Sequence, residues 1–428
     1  MEQVRSATEG GVPEEVEVLR VPAFRWLWAA NGFRYSAAQV AGFALPITAV
    51  LLLGAGPLAM SLVFVAARSG YLLVGLPAGV WVDRWPKRRV LISADLAYIV
   101  AFGSVPAAYL LGLLSVAQLV VIAFVVSVAS VFFDVAHTSV LPYLLPKRAI
   151  ADANARLQTS ESTIQAVAPG VAGALTQAVA APLLYLFAAL GHLCSVLLVS
   201  RVHPENKSPA PPVQRGFRRE IVAGIRMLFG HPLLRTFLTQ AALINLGAGI
   251  MLSQFPLYLL RDIGIPPWGF GLLSTAGAIA GVVASLVAPG LRRRFGEVRM
   301  TLVFSALAPV AVLAAPLAGI LRSAAIPLAG LAEVLIGFVI VGRSVAAAGI
   351  RARVTPNEFL GRVSAANSVV TQGATPLGAL LGGLVANAWT LPAALWFGVL
   401  VMTGPLVVLL LSPLAGHRAL PEEWEVER

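Results

Sequence analysis

Gly79-Val-Trp-Val-Asp83-Arg84-Trp85-Pro86-Lys87-Arg88-Arg89-Val-Leu91 is a short charged turn set between two long apolar runs, near 57–82 and 89–112. Outward from it, apolar run and short connection alternate to both ends of the chain. Further runs lie near 27–53, 116–141, 156–178 and 181–200, then near 233–260, 267–291, 299–321, 324–349, 362–387 and 391–413. A helical span needs about 20 apolar residues, and in lipid each backbone group must be bonded within its own segment, so these runs read as helices. Of 428 residues, 58% are hydrophobic and 12% charged, against about 25% charged in a soluble domain. The mean hydropathy is +0.83. Twelve spans take up roughly 240 residues or more, which leaves connections too short for a catalytic domain. A β-barrel would alternate apolar and polar residues in segments of roughly ten; here the runs are continuous.

The basic residues alternate by loop. Arg84, Lys87, Arg88 and Arg89 follow span two, Lys147 and Arg148 span four, Arg292, Arg293, Arg294 and Arg299 span eight, and Arg351 and Arg353 span ten. The intervening loops hold only Arg261 and Arg322. Positive charge stays cytoplasmic, so both termini are expected inside, in a plasma (inner) membrane protein. The net charge of +11 lies in these clusters, which points to topology rather than to nucleic acid. The acidic first twenty residues carry no positive leader, so no cleaved signal peptide is expected. The expected division is a cytoplasmic segment 1–26, a six-helix bundle 27–200, a cytoplasmic linker 201–232, a second bundle 233–413 and a cytoplasmic tail 414–428. Within the linker, Pro204 to Pro212 reads as flexible. Phe217 to Phe229 suits an amphipathic helix on the membrane surface, or a plain connecting helix.

An offset of 210 maps Pro46 onto Pro256, Gly54 onto Gly264, Pro57 onto Pro267 and Leu62 onto Leu272, and one basic loop onto the other. Gln165 and Pro169 return as Gln372 and Pro376 at an offset of 207. Both halves start on the same membrane side, so this is a parallel repeat. Two such bundles enclose a midplane site that opens to either side in turn.

The opening stretch resembles the signature loop of the major facilitator superfamily: a glycine, aspartate–arginine four residues on, then a basic cluster. Pro86 stands where that family usually has glycine, so the turn geometry is expected to differ. The resemblance implies a gating role for Gly79, Asp83, Arg84, Lys87 and Arg88. Gly79 would let two helices approach closely. Asp83 would face the start of span eleven near Gly361 and Arg362, latching the outward-open state. Phe24-Arg25, Leu27-Trp28, Ala44-Leu45-Pro46, Asp95, Phe133-Asp134, His231-Pro232-Leu233-Leu234-Arg235 and Gly361-Arg362-Val363-Ser364 look like the enterobactin exporter and macrolide efflux branch. That resemblance implies proton-driven export of a bulky, partly apolar small molecule. Ala168-Pro169-Gly170-Val171-Ala172-Gly173 is similar to the motif that marks antiporters in the superfamily, although helix packing explains its small residues equally well.

Charges inside a membrane cost about 2.5–3.5 kcal/mol each by insertion scales, so each is a functional candidate. Arg34 lies in span one among Asn31, Tyr35 and Gln39; it either meets the substrate or snorkels to the inner surface. Glu333, among apolar neighbours in span ten, suits a group that binds and releases a proton; Arg68 or Arg343 could instead neutralise it. Asp95 and Asp134 are expected to bind arginines of the signature loop, with Asp134 counted in the gate. Glu161 is expected to cap or gate span five, and His137 to be structural. Gln165, Asn245, Gln254, Asn367 and Gln372 either line the cavity or bond between helices.

Enzyme chemistry finds no support. There is no Gly-x-x-x-x-Gly-Lys-Ser/Thr loop, no clustered His or Cys for a metal and no Gly-x-Ser-x-Gly elbow. Cys194 is the single cysteine, which excludes an intrachain disulfide. The expected protein is an all-α membrane transporter of twelve helices in two bundles. It is expected to be monomeric in the lipid bilayer, to use no cofactor, and to take a small-molecule substrate in exchange for protons. An importer or facilitator with the same fold, or a lipid-handling or non-transporting membrane sensor, remains the alternative.

Overall fold

The computed structural model describes residues 18–202, 226, 229–230, 232–354 and 360–412. Among the described residues there is no strand and there are twelve long helices. The first six are α1 (Pro22–Ile47), α2 (Pro57–Arg84), α3 (Lys87–Leu110), α4 (Val116–Leu144), α5 (Ile150–Leu175) and α6 (Leu184–Val199). The second six are α7 (Pro232–Leu257), α8 (Pro267–Phe295), α9 (Glu297–Ile320), α10 (Ala325–Val354), α11 (Leu360–Ala388) and α12 (Leu391–Leu410). Eleven spans are long and apolar enough to cross a membrane. The exception is α5, whose first half carries Asp152, Arg156 and Glu161. The segment expected to form an amphipathic helix and the tail 414–428 lie outside the described residues, apart from 226, 229 and 230 in the former.

The repeat holds at the level of backbone geometry. Both α1 and α7 run into a widened π turn, Thr48–Leu52 and Tyr258–Ile263. The turns close alike: Ala55 donates to the Ala49 carbonyl at 2.8 Å and Ile265 to the Leu259 carbonyl at 2.9 Å. Gly54 and Gly264 follow with φ of 62° and 77°, a region that side chains with a Cβ disfavour. Pro57 and Pro267 then occupy the first turn of the next helix, where the missing N–H costs nothing. At the other end of α2 the halves diverge. Pro86 turns with φ −58°, whereas Gly296, its counterpart at the 210 offset, turns with φ 81°. The two halves thus turn differently at equivalent positions.

Within the first half, α1 packs on α5 and α6, α4 on α2 and α3, and α3 on α6. Within the second, α7 packs on α11 and α12, α10 on α8 and α9, and α9 on α12. The halves meet through α2 with α11 and α7, and through α5 with α8. We call the side where α1 begins and α12 ends the near face, and the opposite side the far face. Trp81, Trp85 and Phe132 stack near the near-face end of α2, with centroids 6.1–6.4 Å apart, a placement typical of a membrane boundary.

Asp95 does not reach the signature loop. It is fully buried between α3 and α6, where Ser195 Oγ donates to it at 2.6 Å and His192 Nδ1 lies 2.8 Å away. Tyr98 stacks on the His192 ring at 4.2 Å. A carboxylate so deep in a bundle has to be satisfied locally, and the loop arginines lie beyond its reach; one of them, Arg88, donates to the Ser200 carbonyl instead. Asp95→Ala strands two buried donors, each costing about 1–3 kcal/mol. Its melting temperature in detergent should fall below that of Ser195→Ala, which removes only one bond. Equal melting of the two variants would show that the carboxylate holds nothing together.

Candidate functional site

The far-face ends of the two halves are sealed together. Ser61 of α2 donates to the Ala379 carbonyl of α11 at 2.6 Å, and Gln254 of α7 donates to Ser61 Oγ at 2.8 Å. Phe43 of α1 stacks on Phe270 of α8, with centroids 5.4 Å apart and planes 18° from parallel. Between α5 and α8, a Cβ on Gly173 would meet Gly271 and Trp268 backbone atoms at 3.1–3.3 Å. The Pro169–Gly173 motif thus serves close helix approach, and the helix it approaches belongs to the other half.

Toward the near face the interior turns polar. The first half of α5 exposes Asp152, Gln158, Thr159, Thr163 and Gln165, and α11 exposes Ser368 and Gln372. Exposed polar side chains at membrane depth require water rather than lipid. The two helices are repeat-related and both contact the opposite half, so we read their polar stretches as the lining of an aqueous vestibule leading to the far-face seal.

Two groups of side chains stand beside this vestibule. In the first half, Arg34 of α1 donates to Asp134 Oδ1 of α4 at 3.1 Å, and Tyr71 of α2 donates to Asp134 Oδ2 at 2.8 Å. The guanidinium also sits 3.8 Å over the Phe133 ring, an attractive cation–π contact. One helical turn nearer the near face, Asn31 donates to Glu161 Oε1 of α5 at 2.9 Å and Trp28 Nε1 to Ser160 Oγ at 2.9 Å. Every carboxylate of this group has a partner. In the second half, a cavity of about 230 Å³ opens among α7, α8, α9, α10 and α12. Met251, Phe255, Phe270, Ile336 and Met402 line it with Ser274, and Glu333 supplies its single charged group. The Glu333 carboxyl rests against Gly277 of α8. Among the described residues, no group of three His, Cys, Asp or Glu is arranged to hold a metal ion.

The model of the family described as Major Facilitator Superfamily matches residues 27–346. The chain belongs to that superfamily. No curated protein matches it closely enough to serve as a relative. Solved superfamily folds do. A bacterial homologue of the iron transporter ferroportin, in its inward-facing state, is 19% identical with a TM-score of 0.72, over 94% of this chain and 100% of that one. The nucleoside transporter NupG is 13% identical with a TM-score of 0.73, over 90% and 98%. A D-xylose-proton symporter is 13% identical with a TM-score of 0.70, over 94% and 100%. At such identities the likeness is one of fold: a multi-pass membrane protein with the superfamily's transporter architecture.

Against that architecture, several sequence expectations need correction. Asp134 belongs to the Arg34 group rather than to the loop arginines, because α4 turns it toward α1 and α2. Arg34 does not snorkel; its side chain is 10% exposed and held by Asp134. Gly79 has open space where a Cβ would stand, and no described residue of another helix packs against it. Asp83 is 67% exposed and its ion pair is with Lys87, at 3.5 Å on its own side of the turn. The Arg362 side chain expected opposite Asp83 lies outside the described residues. Glu333 has no pair with Arg68, whose guanidinium sits instead near the Phe64 ring. Gln254 is buried in the far-face seal. Asn245 accepts from Thr375 Oγ1 at 3.2 Å and ties α7 to α11. Tyr35 and Gln39 are half-buried on α1, and Asn367 half-buried on α11. His137 is buried and stacks on Phe133. Sequence reasoning passed over Tyr71 and Phe43, since an aromatic residue in an apolar run carries no signal of its partner.

Proposed function

We propose that this chain is a secondary active transporter of the plasma membrane, with both termini cytoplasmic, that exports a small organic compound in exchange for protons. The arginine clusters at the near face support that orientation. With the near face inside, the sealed far-face seam and the polar vestibule describe an inward-open state of an alternating-access cycle. A sensor would have no use for such a vestibule. The observation that carries the exchange reading is Glu333: one carboxyl without a partner among the described residues, in an otherwise uncharged cavity, beside the seam that must part for release outward. An antibiotic, siderophore or other secondary metabolite as cargo follows from the resemblance to the enterobactin exporter and macrolide efflux branch. The central path lies between the chain's own two halves, so a single copy suffices for transport.

Proteoliposomes holding the full chain test this directly. A candidate compound should move against its gradient when protons are supplied on the release side. Accumulation that ignores an imposed pH gradient removes proton coupling, and accumulation driven in the opposite sense makes the protein an importer.

Two variants test the gates. Asp83 is exposed here and available to the start of α11 once the near face shuts. Asp83→Asn should therefore slow turnover several-fold while leaving melting unchanged, and undiminished transport would exclude a gating role. At the far face, Ser61→Ala removes the hydroxyl that joins α2 to α11 and α7 and should change the transport rate several-fold. An unchanged rate would mean that this seam does not limit the cycle.

A further inference from the structure

The cavity of the second half has the composition of a binding site rather than of a packing fault. Cavities that stay empty are apolar. Among the described residues, the carboxyl in this one takes no hydrogen bond or ion pair, while its other lining residues carry no charge and none of them titrates. Placing a carboxyl there without a partner is costly, and the close approach of α8 to α10 at Gly277 is made by the Glu333 backbone as well as by its carboxyl. The surrounding groups share one preference. Phe255 and Phe270 present aromatic rings, whose faces attract cations, and Met251 and Met402 present polarisable, adaptable sulfur chains.

We infer that this cavity binds a small organic cation, with its ammonium group on the Glu333 carboxylate and its apolar body between Phe255, Phe270, Met251 and Met402. An ammonium supplies both the counter-charge and the N–H donors that the carboxylate lacks; a neutral ligand supplies at most the donor, and an anion is repelled. Volume sets the size of the body. A cavity of roughly 150 Å³ accommodates benzene, so 230 Å³ suits a ligand of about nine heavy atoms, one ring with a short amine arm. The position explains how such a ligand would leave. Phe270 lines the cavity and is also the residue that Phe43 covers across the seam, so parting of the stack uncovers the site toward the far face. The cation and the proton compete for one carboxyl, so binding of either displaces the other. The route across the membrane rests on the exchange reading above; binding does not.

The test is equilibrium dialysis of the purified full-length chain in detergent, at a pH where the carboxyl is ionised, with radiolabelled 2-phenylethylammonium. We expect saturable binding, at least tenfold weaker binding of 2-phenylethanol, and none of 3-phenylpropanoate. Glu333→Gln should weaken the cation at least tenfold and leave the alcohol unchanged, and its melting transition shows that the fold is kept. Met251→Trp, which fills the cavity, should weaken cation and alcohol alike. Equal affinity of the cation for wild type and Glu333→Gln overturns the site. Equal affinity for cation and alcohol overturns the role of charge, and absence of saturable binding overturns the ligand class. Binding as expected together with gradient-independent proteoliposomes would keep this site and discard proton exchange instead.

Discussion

Glu333→Gln removes the gradient-driven part of transport: with a pH gradient imposed, accumulation by the variant falls to the level measured at equal pH, a loss of tenfold or more. The amide has the carboxyl's shape and keeps a polar group against Gly277, so packing between α8 and α10 survives. What is lost is a group that can carry a proton from one face to the other. No second carboxyl near the cavity can substitute, because its other lining residues neither titrate nor carry charge. Glu161 and Asp134 are in the other half and already have partners. A variant that still concentrates its cargo in response to the gradient would return Glu333 to a structural role and move the coupling to the first half.

The second large effect is expected at Arg34 and Asp134. Asp134→Asn leaves a guanidinium at membrane depth without its carboxylate. Breaking a fully buried pair costs about 3–5 kcal/mol. Here Asp134 is 40% exposed to the vestibule and its charge is partly screened, so a loss of about 1–3 kcal/mol is expected. Transport should suffer more than melting, since Arg34, Asp134 and Tyr71 tie α1, α2 and α4 together beside the central path. The double variant Arg34→Gln with Asp134→Asn separates the two effects: removing both charges should restore most of the stability and little of the transport. Recovery of both would reduce the group to a structural clamp.

The corrections share a physical cause. Asp95 and Asp134 lie toward the near-face ends of α3 and α4 and were expected to serve the signature loop. Depth along a helix can be read from residue number, but the direction in which a side chain leaves the helix acquires meaning only from the neighbour it meets. In α3 that neighbour is α6, at a separation of 97 residues from Asp95 to His192. For Asp134 it is α1, at a separation of 100. Gln254 was a cavity candidate on its polarity, yet it is spent on sealing the far face, because Ser61 lies opposite it. The expected Asp83 latch was legible as a motif; among the described residues Asp83 pairs with Lys87, and the Arg362 side chain lies outside them.

What the chain's order of residues determined by itself is the set of membrane helices, their alternation and their two-fold repeat. Lipid forces each span to satisfy its own backbone, and the repeat is written in prolines and glycines whose conformations are local, down to the paired turns at Gly54 and Gly264. What only the tertiary structure decided is which charges are partnered. The same kind of residue, a carboxylate within a span, is fully enclosed at Asp95, clamped at Asp134 and unpartnered at Glu333. Those differences arise from helices brought together across long separations in sequence, and it is the unpartnered one that points to the chemistry of exchange.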